Sequence, residues 1–257
     1  MTFFKFTQTP DRELNDEVGF FFSCFKEKDA VNFCIKNIRS HYPENPIFLS
    51  SDGGLDFSHL QDDDKNLKFT LYEDKLGYVN HPETKDKEKL IDCCVEFLNR
   101  LNAAVDFCRT EFIMYYEPDV LLRGKVRINQ GLHLNGSFAN RMDESVMNFI
   151  HSINPHCANI NFGSCGGSVI NSASFKEVYS KTDLDLIRKL IYLDPRISNC
   201  DFLLTVLFSI HGYRYDENLD FIEARRDTNW MNTSHSIVHQ YHHNYGVNYD
   251  GKYANFK

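Results

Sequence analysis

The sequence is short of positive charge: 28 lysines and arginines face 36 aspartates and glutamates, a formal net charge of -8 over 257 residues. A duplex nucleic-acid binder needs a basic face to neutralise phosphates, so that class is disfavoured. A phosphate-bearing small substrate would need a metal or a local cation instead. Long apolar runs are missing too. The longest, Phe202 to Ile210, is far below a membrane span, and Met1-Thr-Phe-Phe-Lys-Phe6 lacks a sustained apolar stretch before Asp11, so neither a membrane span nor a secretion signal is expected. The eight cysteines form no C-x-x-C pair, and most sit in apolar runs such as Phe21 to Phe25 and Leu90 to Leu98. They read as reduced core residues in a chain too large to need a disulfide scaffold, which points to a cytoplasmic location. Internal repeats and low-complexity tracts are lacking, as are the G-x-G-x-x-G fingerprint and the P-loop; Gly163 to Gly167 has no lysine to grip phosphates.

What is there suits a large packed core. Hydrophobic residues make up 42% and charged residues 25%, and we expect one α/β domain spanning 1–257. Val18 to Phe25 is a continuous apolar run, the mark of a central strand covered on both faces. A helix capped by Asp29 follows, with Val31, Cys34, Ile35 and Ile38 on one face. Ile47 to Ser51 makes the next strand, completing a β-α-β unit and implying a parallel sheet. A short helix from Asp56 to Asp64, a strand from Leu67 to Tyr72, a polar loop from Asp74 to Lys87 and a long helix from Lys87 to Cys108 lead to the strand Phe112 to Tyr116. Beyond it the periodicity predicts a strand from Gln130 to Gly136, a helix from Asp143 to Ser152 and a strand from Asn159 to Phe162. Helices follow from Ser172, from Asp183 and from Phe202 to His211, and then a tail from Asn232 to Lys257.

The strand Phe112 to Tyr116 empties into Glu117-Pro118-Asp119. Hard divalent cations take carboxylate oxygens, and a proline between two acids stiffens the loop that aims them, although an exposed turn has the same composition. The basic residues Arg123, Lys125 and Arg127 follow closely, as phosphate contacts or as a solvated face. Asp52 ends the second strand before Gly53-Gly54, where an acid can accept hydrogen bonds from a base or ribose, or simply turn the chain. Gly166 and Gly167 allow close approach of a bulky polar ligand, with Ser164, Ser168 and Asn171 as donors, or form a strand-to-helix turn. Asp201, at the start of an apolar helix, reads as a general base or as a cap. His235, His239, His242 and His243 offer imidazoles, and mixed imidazole and carboxylate ligation suits manganese better than calcium.

In their order along the chain, Asp52, Glu117-Pro118-Asp119, Gly166-Gly167, Asn199-Cys-Asp201 and Ile237-Val-His239 resemble a nucleotide-sugar glycosyltransferase of the GT-A fold. The resemblance implies a single Rossmann-like domain whose central, mostly parallel mixed sheet is flanked by helices. Its nucleotide-binding half would span about 17–120 and its acceptor-binding half about 121–257. It implies a hexosyltransferase-like enzyme that uses Mn2+ or Mg2+ and a nucleoside-diphosphate sugar of UDP or GDP type, with a glycan or glycoprotein acceptor. Asp119 is then a direct metal ligand, Glu117 contacts sugar, ribose or metal, and His239 completes the metal site, with His235 and His242 as alternatives. Phe21, Ser23 and Asp52 would hold the nucleoside, and Gly166 and Gly167 would line the donor sugar or acceptor. Asp201 would be the base of an inverting reaction. The chain departs from the family's Asp-x-Asp pattern in having Glu first, one methylene longer, and Pro in the middle. A nucleotidyltransferase making nucleotide sugars and a non-catalytic carbohydrate-binding protein are the competing readings.

Overall fold

The computed structural model describes residues 10–26, 28–73, 86–138, 143–157, 162–163, 166–224 and 234–240, without the side chains at 137, 138, 162, 201, 223, 224 and 240. The strands are β1 (Arg12–Glu13), β2 (Val18–Cys24), β3 (Ile47–Asp52), β4 (Leu67–Tyr72), β5 (Phe112–Tyr116), β6 (Val120–Leu122) and β7 (Arg127–Ile128). They continue as β8 (Leu134–Phe138), β9 (Phe162–Gly163), β10 (Val169–Asn171), β11 (Tyr215–Glu217), β12 (Phe221–Ala224) and β13 (Ile237–Gln240). The helices are α1 (Lys28–His41), α2 (Ser58–Asp63), α3 (Lys87–Cys108), α4 (Glu144–Ile153), α5 (Ser172–Lys181), α6 (Leu184–Leu193) and α7 (Cys200–Ile210).

The main sheet runs β11-β8-β10-β5-β2-β3-β4, with β9 on β8. Strands β5, β2, β3 and β4 are mutually parallel, β11 is parallel to β8, and β10 is antiparallel to both its neighbours. This is a mixed α/β architecture with a central, mostly parallel sheet between helices. Successive residues of a strand point to opposite faces, and the consecutive phenylalanines of β2 use both. Phe20 and Phe22 join Ile47, Leu49, Met114 and Tyr116 in the core under α1. Phe21 joins Phe48, Ile113 and Tyr115 in the core under α3, α5 and α7. Each of these phenylalanines is fully buried, contributing about 1.5–3 kcal/mol.

The carboxyl ends of the parallel strands fall at Cys24, Asp52, Tyr72 and Tyr116, one edge of the sheet, where ligands of open α/β sheets collect. Two smaller sheets sit beside the main one: β1-β7, and β12-β13-β6. In the latter β13 is parallel to β12 and antiparallel to β6.

Several expectations shift. Helix α1 starts at Lys28, so Asp29 lies in its first turn and complements the helix dipole instead of capping it. The strand expected from Gln130 to Gly136 is Leu134–Phe138, because Leu132 N–H closes a turn onto the Asn129 carbonyl at 3.1 Å. Of the strand expected from Asn159 to Phe162, Phe162 lies in β9 and the earlier residues lie outside the described ones, as does most of the Asp74 to Lys87 loop. The tail contains β13, which carries His239. No described helix is long and apolar enough to cross a membrane.

Candidate metal centre

Strand β5 ends at Tyr116, and the next four residues form a tight turn closed by Val120 N–H on the Glu117 carbonyl at 3.0 Å. Pro118 occupies the second position of that turn, where its fixed φ is already right. The turn leads into β6, and β6 pairs antiparallel with β13 in a register that sets His239 opposite Val120. Register therefore delivers the histidine to the residue that follows Asp119. The His239 Nε2 lies 3.4 Å from Asp119 Oδ1 and 3.7 Å from Glu117 Oε2. One donor atom from each of Glu117, Asp119 and His239 falls within 4.8 Å of the others. Asp119 and His239 are buried, while the Glu117 side chain keeps 16% exposure.

The three residues are held from several sides. Glu117 Oε1 accepts a hydrogen bond from the Tyr115 hydroxyl at 2.8 Å, and Oε2 accepts one from Gly166 N–H at 3.1 Å. The His239 ring stacks on Phe221, with centroids 6.1 Å apart. Behind β13, the buried Asp220 ties the small sheet together. Its carboxylate accepts from Ser236 N–H at 3.1 Å, from the Ser236 hydroxyl and from the Arg127 guanidinium at 2.6 Å. On the other flank, the Asn37 side chain of α1 donates to the Leu122 carbonyl at 2.9 Å and accepts from Leu122 N–H at 2.8 Å, standing in for a neighbouring strand of β6. The buried Cys34 thiol lies beneath the turn, donating towards the carbonyls of Pro118 at 3.5 Å and Val120 at 3.7 Å. Burial, and then the charge of Asp119, push its pKa well above the ordinary thiol value, so it stays a neutral prop.

The donor set fits a divalent cation. Around an ion with bonds of about 2.0–2.6 Å, ligand atoms at right angles lie about 3–3.7 Å apart and opposite ones about 4–5 Å. The separations here fall in that span. Two carboxylates and an imidazole match the oxygen preference of Mg2+ and Mn2+, with the nitrogen favouring the transition ion. A 2+ charge would balance the two carboxylates.

Other residues singled out from the sequence have different surroundings. The Phe21 ring is packed among Phe48, Phe97 and Tyr115, and Ser23 is buried at the end of β2. Asp52 is buried and accepts from the Arg100 guanidinium of α3 at 2.9 Å, so at least one of its oxygens is engaged inside the protein. Gly166 is pressed against the site itself: a Cβ there would stand 2.5 Å from Glu117 Oε2 and 2.8 Å from Val120. Gly167, at φ +99, lies under Phe221 and Ile237, where a Cβ would come within 3.0 Å of both. The close approach that these two glycines permit is thus to the protein's own side chains. Asn171 caps α5 through Ser174 N–H at 3.0 Å, and Arg127 is engaged by Asp220. Asp201 lies in the first turn of α7, with its side chain outside the described ones. Its neighbour Cys200 places that turn near the site, because the Cys200 thiol contacts the Tyr115 hydroxyl oxygen at 3.7 Å. His235 is half-buried ahead of β13; Ser164, His242 and His243 lie outside the described residues.

A scan against protein-family models finds no match, and neither does a search of curated proteins. Among solved structures, the chain is similar to the X-ray structure of the mannosyltransferase Ktr4p from S. cerevisiae, with a TM-score of 0.48 and 8% sequence identity. The alignment covers 72% of this chain and 66% of that one, so the chain spans just under two thirds of that neighbour's length.

Sequence reasoning missed Tyr115, Asn37, Arg100 and Asp220. Tyr115 is hidden in an apolar strand, and Arg100 sits in a helix where a Glu96–Arg100 pair reads as surface charge. Asp220 and Asn37 act on chain segments distant in sequence, and neither has a local signature.

Proposed function

We propose that this protein is a metal-dependent glycosyltransferase of GT-A type, moving a sugar from a nucleoside-diphosphate sugar of UDP or GDP type to an acceptor hydroxyl. The observation that carries the reading is the convergence of Glu117, Asp119 and His239 within 4.8 Å of one another, next to the carboxyl end of a parallel strand. The acidic motif and the late histidine that the sequence order suggests as partners are the residues that meet in space. They would hold Mn2+ or Mg2+, which when bound neutralises charge on a departing diphosphate.

The remaining roles belong to the chain. Asp119 is fixed by the Pro118 turn and His239 by strand register, so both present their donor atoms without a flexible tether. The end of β2 around Phe21 and Ser23 would hold the nucleoside through its backbone, since the Phe21 ring belongs to the core. Asp52 would serve there by pairing with Arg100 just before the Gly53-Gly54 turn, with Gly53 at φ 62. Asp201, in the first turn of α7, is the proposed base for an acceptor hydroxyl of a glycan or glycoprotein. The acceptor would enter from the 121–257 half of one domain.

The test is transfer or donor hydrolysis across a panel of UDP- and GDP-sugars, with Mn2+, with a chelator, and in Asp119→Ala. Turnover that needs the metal and is lost in the variant is expected. Turnover indifferent to both chelator and substitution would overturn the reading.

A further inference from the structure

The departure of this chain from an Asp-x-Asp pattern, a glutamate where a shorter acid would be expected, has a structural counterpart. The Glu117 carboxylate spans two partners on different segments: the Tyr115 hydroxyl of its own strand at 2.8 Å and Gly166 N–H of the turn before β10 at 3.1 Å. One C–C bond is about 1.5 Å, so an aspartate carboxylate would be drawn back by up to that length, which stretches the contacts of 2.8 and 3.1 Å towards or past the limit of hydrogen bonding. On the far side, Gly166 admits nothing larger. A Cβ would stand 2.5 Å from Oε2 and 3.1 Å from Cγ of Glu117. The Tyr115 ring is fixed independently of its hydroxyl, stacked on Phe21 at 5.6 Å and edge-on to Phe97 at 5.8 Å.

We infer that Tyr115 and Gly166 are positioning residues that set the Glu117 carboxylate as the third metal ligand, and that the extra methylene of glutamate is required for it to reach both. This rests on the metal reading above. The hydroxyl and the amide each donate to one oxygen, which fixes the plane of the carboxylate and the direction of its remaining lone pairs. Groups that orient ligands in this way commonly change metal affinity by about 10–100-fold when removed.

The experiment is Mn2+ titration of the full chain by calorimetry, with electron paramagnetic resonance of the bound ion, for wild type, Tyr115→Phe, Gly166→Ala and Glu117→Asp. Tyr115→Phe is expected to weaken Mn2+ binding about 10-fold and to change the spectrum of the bound ion. Its metal-free melting temperature should fall by no more than about 3 °C, the scale of one hydrogen bond. Glu117→Asp is expected to weaken binding by at least as much although its charge is kept. Gly166→Ala should do the same, and if that variant fails to fold the other two still decide. Wild-type binding matched by Tyr115→Phe or by Glu117→Asp would overturn this inference and leave the metal site standing. A wild type that binds no Mn2+ would overturn the metal reading itself.

Discussion

Asp52 and Asp119 sit at the same edge of the same parallel sheet, each 2% exposed, yet their charges are handled in opposite ways. Asp52 ends β3 against Arg100, whose guanidinium is 1% exposed, 2.9 Å from the carboxylate and 3.8 Å over the Tyr72 ring. Asp119 instead faces a second carboxylate and an imidazole. Burying an ionised carboxylate is costly unless a counter-charge and hydrogen bonds come with it. At Asp52 the fold provides the counter-charge from its own Arg100. At Asp119 the proposed metal reading has the clustered acids take a cation from outside. On that reading depth and place on the sheet do not separate the two acids, and the sign of the neighbouring charge does.

The comparison breaks most severely at the closed pair. Arg100→Met would strand the Asp52 carboxylate in the core and should cost about 3–5 kcal/mol of stability in urea unfolding, with no recovery on adding Mn2+. Replacing both partners, Asp52→Leu with Arg100→Met, should be much milder, because the buried charge leaves with its partner. At the open site the effect moves from stability to ligand. Asp119→Ala should weaken Mn2+ binding by at least about 100-fold, about 2.7 kcal/mol, while metal-free stability changes by less than about 1 kcal/mol. The smallest expected effect sharpens the contrast from a distance. Asp220→Asn loosens the seat of β13 through Ser236 and Arg127, and should weaken Mn2+ binding about 10-fold by letting His239 drift. Calorimetry reads both binding effects.

Legibility in the sequence followed the range of the interactions. Val18–Cys24, Lys87–Cys108 and Phe112–Tyr116 announce themselves because long apolar runs and a sustained helical period arise within one segment. Glu117-Pro118-Asp119 is legible for the same reason, as a buried strand that stops at two acids. His239 was reached through family resemblance. Its strand is described over four residues, and its place beside Val120 is a register between distant segments that no local pattern encodes. The same limit hid the short strands Val169–Asn171, Tyr215–Glu217 and Phe221–Ala224. Asp52 was legible as an acid at a strand end, but its partner was not, because Arg100 buries a charge that periodicity assigns to solvent. Gly166 was legible as a point of close approach, and only the fold identifies the approaching group as Glu117.

The most direct measurement is thermal unfolding of chelator-treated wild type and Asp119→Asn, each with and without Mn2+. At about one hundred times its dissociation constant, an ion that binds the folded state alone adds about 2.7 kcal/mol, which for a chain of this size is a rise of about 5–10 °C. Wild type should show that rise and Asp119→Asn should not. An unchanged wild-type melting temperature, or an equal rise in both proteins, would contradict the claim that Glu117, Asp119 and His239 form a metal site.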